Sequence, residues 1–211
     1  MYKFYIKRIF DLLFGIAGFP FFLITLLVFG PIIKATDKGP VFYNAKRIGK
    51  NGKLFKMYKF RSMYVNAPDI RLVDGSTYNG AEDPRVTKVG KIMRATSIDE
   101  LPQLLNILNG TMSLIGPRPD PPDWLDKYPE DIKVFLTVRP GITGYSQAYF
   151  RNGADGEEKM RNDAYYAQHV SFLFDVKIFF KTIATVLVHE GTYKDTTNEE
   201  DAVKQAEALK K

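Results

Sequence analysis

The sequence predicts a mainly helical α+β fold: an N-terminal helix embedded in a membrane, then a compact domain with a short β-hairpin and interfacial amphipathic helices. Three observations lead there. Leu12 to Ile33 is an uncharged, mostly apolar run of about 22 residues, the length a bilayer core demands. After Pro40 two strand-like runs flank Asn51-Gly52, a strong hairpin signal. From Asp163 to Val188 apolar and aromatic residues recur at helical spacing, with Lys177 and Lys181 interleaved. At 211 residues and 45% hydrophobic, the chain can build one domain with a real core but not comfortably two. The organisation expected is a membrane-embedded helix over 1–36, a domain over 37–190 and a charged tail over 191–211.

Within the apolar run, Gly18-Phe19-Pro20 and Gly30-Pro31 are helix breakers, and Pro20 predicts a kink. The run is long for a signal peptide, and no small-x-small cleavage pattern follows it. Both flanks are basic: Lys3, Lys7 and Arg8 before, Lys34, Lys38, Lys46 and Arg47 after. Positive flanks resist translocation, so both ends favour the cytoplasmic side. A spanning helix and a re-entrant one, which bends and returns to the same face, both fit the residues alone. A re-entrant backbone would need protein packed beneath it, because lipid offers no hydrogen bonds.

Val41 to Tyr43 and Lys53 to Phe60 are the hairpin strands. Lys56, Lys59 and Arg61 gather at the end of the second, either as a cluster that meets an anion or as lysines guarding a sheet edge. Tyr64 to about Pro84 reads as a long polar loop, and Pro121 to Pro129 as a second punctuated stretch. The segment from Asp163 to Val188 is expected to be one helix, at a membrane interface or in the core.

The most informative stretch is Arg94 to Pro119. Leu101, Leu104, Leu105 and Leu108 fall on one helical face, and Asn109-Gly110 is a plausible stop. Ser97 and Glu100 have capping-box spacing, although Pro102 suits the first helical position equally well. Either start puts Asp99 and Glu100 at a helix N-terminus, where the dipole favours ionised carboxylates. Two adjacent acids repel, and a magnesium ion, which prefers carboxylate oxygens, is a natural third partner for both. Ionised Asp99 beside a metal-neutralised diphosphate is a credible nucleophile. Acids near a helix start can also merely satisfy the cap. Lys59, Arg61, Arg94, Arg118 and Arg151 are the candidate substrate-binding cations, with Arg supplying planar, multidentate donors for phosphate oxygens.

The net charge of +6 and pI near 9.3 point to anionic partners without choosing among nucleic acid, acidic membrane and phosphate-bearing substrates. The absence of cysteine excludes disulfides, thiolate catalysis and Cys-type zinc sites. His169 and His189 lie in an apolar segment without ligand-type neighbours, which disfavours a His metal site or a Ser-His-Asp relay.

Six segments occur in one order: Lys7-Arg8-Ile9-Phe10-Asp11, Gly39-Pro40-Val41-Phe42, Tyr58-Lys59-Phe60-Arg61-Ser62-Met63, Ser97-Ile98-Asp99-Glu100-Leu101-Pro102-Gln103-Leu104, Gly116-Pro117-Arg118-Pro119 and Arg139-Pro140-Gly141-Ile142-Thr143-Gly144. The series resembles the bacterial sugar transferases, the monotopic phosphoglycosyl transferases, over roughly residues 3 to 188, and approximates their small, catalytic-domain-only members. The resemblance implies a ping-pong reaction. Asp99 would attack the sugar-bearing phosphate of a UDP-sugar and release UMP, and undecaprenyl phosphate would then take the phospho-sugar from the aspartyl intermediate. Glu100 would help to hold magnesium or manage a proton, and Arg118 and Arg151 would grip phosphates or the nucleotide. It also implies a re-entrant helix, an inner (cytoplasmic) membrane location with the domain on the cytoplasmic face, lipid contact and a possible homo-oligomer, with no nucleic-acid partner.

Three departures stand out. The family's Ser-Pro helix breaker would fall near Ile24, and Pro20 comes about one turn earlier. Gly-Asp-Met-Ser reads Gly110-Thr111-Met112-Ser113, and Asn-Gly-Arg reads Tyr149-Phe150-Arg151. Other readings are a membrane-anchored protein that binds polyprenyl lipid without turnover, a tethered nucleic-acid binder, whose affinity would fall steeply with salt, and a glycosyltransferase that releases UDP.

Overall fold

The computed structural model describes residues 2–70, 78, 80, 83–150 and 156–188. A π-helical turn at Tyr2–Ile6 runs into α1, Lys7–Asp37, a single helix of 31 residues and about 46 Å. Pro20 and Pro31 lie inside it, so the expected breaker at Pro20 does not end the helix. Each proline removes one donor, and the ladder on either side persists because one face is pinned to the body. That face carries buried Lys7, Asp11, Gly15, Phe22, Gly30 and Ile33, at the three-to-four spacing of a single stripe. Much of the rest is bare apolar surface, with Leu27 76% exposed and Ile9, Leu13, Ile16, Phe21 and Ile24 also open. It is the one helix among the described residues long and apolar enough to cross a membrane.

The hairpin forms where Asn51-Gly52 places it. β1, Phe42–Ile48, pairs antiparallel with β2, Leu54–Phe60, in a register that sets Phe42 opposite Phe60 and Ile48 opposite Leu54. Asn51 and Gly52 both take positive φ, at 57° and 74°. The first strand runs five residues past Tyr43, where it was expected to stop, because both partners stay extended to the turn.

Next come α2, Lys88–Ala95, and α3, Gln103–Leu108, with a 3-10 turn at Ile98–Glu100 between them. Thr87 Oγ1 caps α2 by accepting from the Gly90 amide at 2.9 Å. Of the two helix starts the sequence left open, the capping box at Ser97 does not form, and α3 begins directly after Pro102. Ser97 takes a left-handed φ of 56° and makes no side-chain cap bond, so Asp99 and Glu100 stand in the 3-10 turn ahead of α3. Leu104 is buried on α3, and Leu104 and Leu108 pack against Gly18 and Gly15 of α1. Gln103, Asn106 and Ile107 are buried too, whereas Leu101, Leu105 and Leu108 are half-buried, so the enclosed face is turned from the leucine stripe.

β3, Ser113–Ile115, and β4, Gly141–Thr143, form a small parallel pair, with α4, Tyr145–Tyr149, directly after. The single helix expected over 163–188 is instead two, α5 at Gly156–Gln168 and α6 at Phe172–Val188. Ser171 starts α6, its Oγ accepting from the Phe174 amide at 3.3 Å. Leu173, Phe180, Ile183 and Val186 of α6 are exposed, and Phe10 and Phe14 of α1 meet Phe172 and Phe179. The apolar surfaces of α1 and α6 are therefore continuous.

Two apolar clusters hold the body together. One joins α1 to β2, α2 and α3 through Phe22, Ile33, Phe60, Met93, Leu104 and Ile107. The other gathers Ile48, Ile115, Tyr128, Phe135, Tyr166 and Ile178 around α5 and α6. The tail expected over 191–211 and His189 lie outside the described residues.

Candidate active site

Asp99 and Glu100 share one 3-10 turn, and the left-handed Ser97 swings the chain from the end of α2 so that both acids face β2 and the Pro117–Pro119 loop. Glu100 Oε1 accepts from Lys59 Nζ at 2.6 Å and from Arg118 NH2 at 2.9 Å. Asp99 is only 8% exposed, and its carboxylate takes no hydrogen bond from a described residue. Burial pushes Asp99 up to about 6 against the pull of Lys59; the Glu100 charge adds to the rise, and Arg94 and Arg118 oppose it. For Glu100 burial also acts upward, but Arg118 and Lys59 outweigh it and hold that carboxyl well below its usual range. At neutral pH the site therefore holds two carboxylates, with Lys59, Arg94 and Arg118 around them.

The proposed cations divide. Lys59 and Arg118 reach Glu100 directly. Arg94, whose Nε donates to Ser62 Oγ at 3.0 Å, acts on Asp99 through its charge. Arg61 is not brought to the pair. Its guanidinium lies on Asp37 with two 2.6 Å bonds, and its remaining donors go to the carbonyls of Pro40, Met63 and Ile33. All five N–H groups are taken in fastening the end of α1 to β2, so none is left for a phosphate. Arg151 lies outside the described residues.

The loop carrying Arg118 is set by backbone contact. The chain before it, at Gly116, lies against the Arg139–Gly141 segment so closely that a Cβ on Gly141 would sit 2.1 Å from the Gly116 nitrogen. Gly141 N also donates to Pro117 O at 2.9 Å. Two motifs far apart in sequence are thus one structure, and Arg139, whose Nε bonds Gly110 O, belongs to that scaffold.

Thr111, where the family has an acid, donates to Asn109 Oδ1 at 2.7 Å and accepts from Asn106 Nδ2 at 3.0 Å. Asn106 is fully buried and also bonds Tyr58 N and Lys56 O, tying α3 to β2 beside Lys59. Sequence reasoning missed this hub, since a lone Asn on an apolar helix carries no distinguishing signal. It missed a second group: Asp120, Lys159 and Asp163, joined beneath the Arg118 loop. The i,i+4 spacing of Lys159 and Asp163 was available as a hint. Lys7 and Arg8, read as part of a basic flank, turn inward, as does Asp11. Lys7 pairs with Asp175 at 2.6 Å, Arg8 donates to the carbonyls of Ile107 and Leu108 at the end of α3, and Asp11 accepts from Ser113 Oγ and Leu114 N.

Among the described residues no group of three or more His, Cys, Asp or Glu side chains could cage a metal. The two carboxylates nonetheless suit magnesium, which binds through one or two carboxylates and completes its shell with waters and substrate phosphates.

The family model described as bacterial sugar transferase matches residues 2–189. The chain is 38% identical over 206 residues to an undecaprenyl-phosphate galactose phosphotransferase of Salmonella typhimurium, covering 90% of this chain and 42% of that protein. It is 39% identical over 193 residues to a UDP-N-acetylgalactosamine-undecaprenyl-phosphate N-acetylgalactosaminephosphotransferase of Aeromonas hydrophila, covering 89% and 45%. Against the exopolysaccharide production protein ExoY of Sinorhizobium fredii it is 41% identical over 203 residues, covering 89% and 88%. The chain thus spans less than half the length of the first two relatives and most of the third.

Proposed function

Because the chain belongs to the bacterial sugar transferase family, we propose that it transfers a phospho-sugar from a UDP-sugar to undecaprenyl phosphate and releases UMP. The observation that carries this reading is a buried Asp99 that takes no hydrogen bond from a described residue, next to a Glu100 clamped by Lys59 and Arg118. A carboxylate oxygen of Asp99 attacks the phosphorus that bears the sugar, and the bond from that phosphorus to the UMP phosphate breaks, with the electron pair leaving on UMP. An oxygen of undecaprenyl phosphate then attacks the same phosphorus, freeing the Asp99 carboxylate and forming the lipid diphosphate sugar. Arg118, Lys59 and Arg94 stabilise negative charge that builds on the phosphoryl oxygens and the leaving UMP. Asp99 and Glu100 would hold magnesium, which when bound neutralises diphosphate charge. The relatives' names, which speak of undecaprenyl-phosphate galactose and N-acetylgalactosamine phosphotransfer, support the lipid acceptor and the transferred group.

The lipid acceptor requires the site to work at a bilayer. We read α1 as re-entrant, with the domain on the cytoplasmic face of the inner membrane. Both ends of α1 grip the same body, Lys7 through Asp175 and Asp37 through Arg61. Attachment of both ends to one domain supports that reading, because it favours both ends lying on the same side of the bilayer.

The test is a nucleotide assay with detergent-purified protein, magnesium, undecaprenyl phosphate and a panel of UDP-sugars, run beside Asp99→Asn. UMP released by the wild type should fall at least about a thousandfold in the variant, the scale lost with a covalent nucleophile. UDP as the product would mean sugar transfer without its phosphate, and no nucleotide from folded protein would favour a lipid-binding role.

A further inference from the structure

Arg118 reaches Glu100 from a loop with unusual support. Gly116-Pro117-Arg118-Pro119-Asp120-Pro121-Pro122 alternates prolines, each fixing its own φ, with the two charged residues. A segment this stiff moves as a unit, so whatever holds Asp120 also holds Arg118, two residues away. Asp120 is held firmly. Lys159 Nζ donates to both of its carboxylate oxygens at 3.0 Å, Tyr128 OH donates to Oδ2 at 3.0 Å, and its carbonyl accepts from the Ile48 amide at 3.0 Å. One turn on from Lys159 along α5, Asp163 is 2% exposed and stands 3.5 Å from the same ammonium, through Oδ2. Its other oxygen, Oδ1, is buried and has no hydrogen-bond partner. An unsatisfied buried oxygen is costly and needs a reason. Here the reason is that Asp163 keeps Lys159 from swinging out to solvent.

We propose that Lys159, retained by Asp163, is a positioning residue of the transfer: by gripping Asp120 from behind it fixes the direction in which Arg118 presents its guanidinium to Glu100 and to substrate phosphate. This rests on the reading of the site as a phosphoryl-transfer centre. Among the described residues Lys159 has no hydrogen bond or ion pair to either acid of the pair, and its grip on the loop runs through Asp120.

The experiment compares Lys159→Met, Lys159→Arg, Arg118→Ala and the Lys159→Met/Arg118→Ala double variant as full chains in detergent, reading UMP release and hydrogen exchange of the Ile48 amide. Lys159→Met should lower kcat/KM about 100-fold, the cost of a catalytic group displaced by about 1 Å. In the Arg118→Ala background the same change should cost no more than about twofold, because coupled groups are not additive. Ile48 exchange should accelerate in Lys159→Met and stay slow in Lys159→Arg, which retains the cation. Equal losses in both backgrounds would overturn the proposal, since a merely structural lysine costs the same with or without Arg118. Unchanged Ile48 exchange would overturn it as well. Should Lys159→Met fail to fold, Asp120→Asn weakens the same contact at constant shape and carries the same comparison. If the wild type releases no UMP while Ile48 exchange responds as stated, the transfer reading falls and the support of the loop stands.

Discussion

A carboxylate that attacks phosphorus has to be ionised, and burial works against that. The three cations around Asp99 stop burial from raising it beyond about 6, so neutral pH leaves it mostly charged. Asp163 shows the same contest with a different result: burial and the nearby Asp120 outweigh Lys159 and push it up to about 7. A carboxyl raised in the folded state binds a proton there that the unfolded chain has already released. Stability from this group is therefore present near pH 4 and is lost as pH climbs to about 7, by up to about 4 kcal/mol. Denaturation curves of the wild type and Asp163→Asn should diverge over that window in favour of the variant and run parallel above it. A constant difference would mean that Asp163 is charged throughout. Arginines make a related point. Arg61 and Arg118 sit in equally suggestive motifs, and only the count of filled donors separates a fastener from a candidate for binding substrate. Sequence shows the residue type, but its neighbours across the fold are set by packing.

Among the elements, those governed by local rules were legible. Asn51-Gly52 made its hairpin, and the apolar run made α1. The failures occurred where tertiary contact overrode a local signal. Ser97 had the spacing of a cap but was drawn into a left-handed turn that aims the acids. The break at residues 169–171 is marked by little more than Ser171, a weak signal inside an apolar stretch. The pairing of β3 with β4 was invisible because neither three-residue strand has a pattern of its own. That pairing is also the most fragile element. Gly141→Ala would drive a methyl into the Gly116 backbone, splitting the two strands and shifting the loop ahead of Arg118. It should lower unfolding free energy by about 2–4 kcal/mol, the range of core overpacking and strain, and lower UMP release as well. A variant that keeps both stability and activity would show that the contact can open at little cost.

At the scale of the molecule, α1 and α6 present one broad apolar surface while the acid pair faces the domain behind it, an arrangement that would suit the lipid-borne acceptor proposed above. The chain has no cysteine, so single reporters can be added cleanly. Lys3→Cys and Lys53→Cys should react with a membrane-impermeant thiol reagent from the same side of sealed vesicles; reaction from opposite sides would mean that α1 crosses the bilayer. The ion pair between Lys7 and Asp175 bears on biosynthesis too. Its partners are 168 residues apart, and Tyr2 and Tyr166 donate to the same carboxylate. A ribosome adding about 5–20 residues per second needs on the order of ten seconds or more to supply Asp175 after Lys7 has emerged. For that interval the ammonium at the base of the first helix lacks its 2.6 Å partner, and this end of α1 reaches its final seat only once the last described helix has begun. The beginning of the chain is thus among the last parts of the protein to be completed.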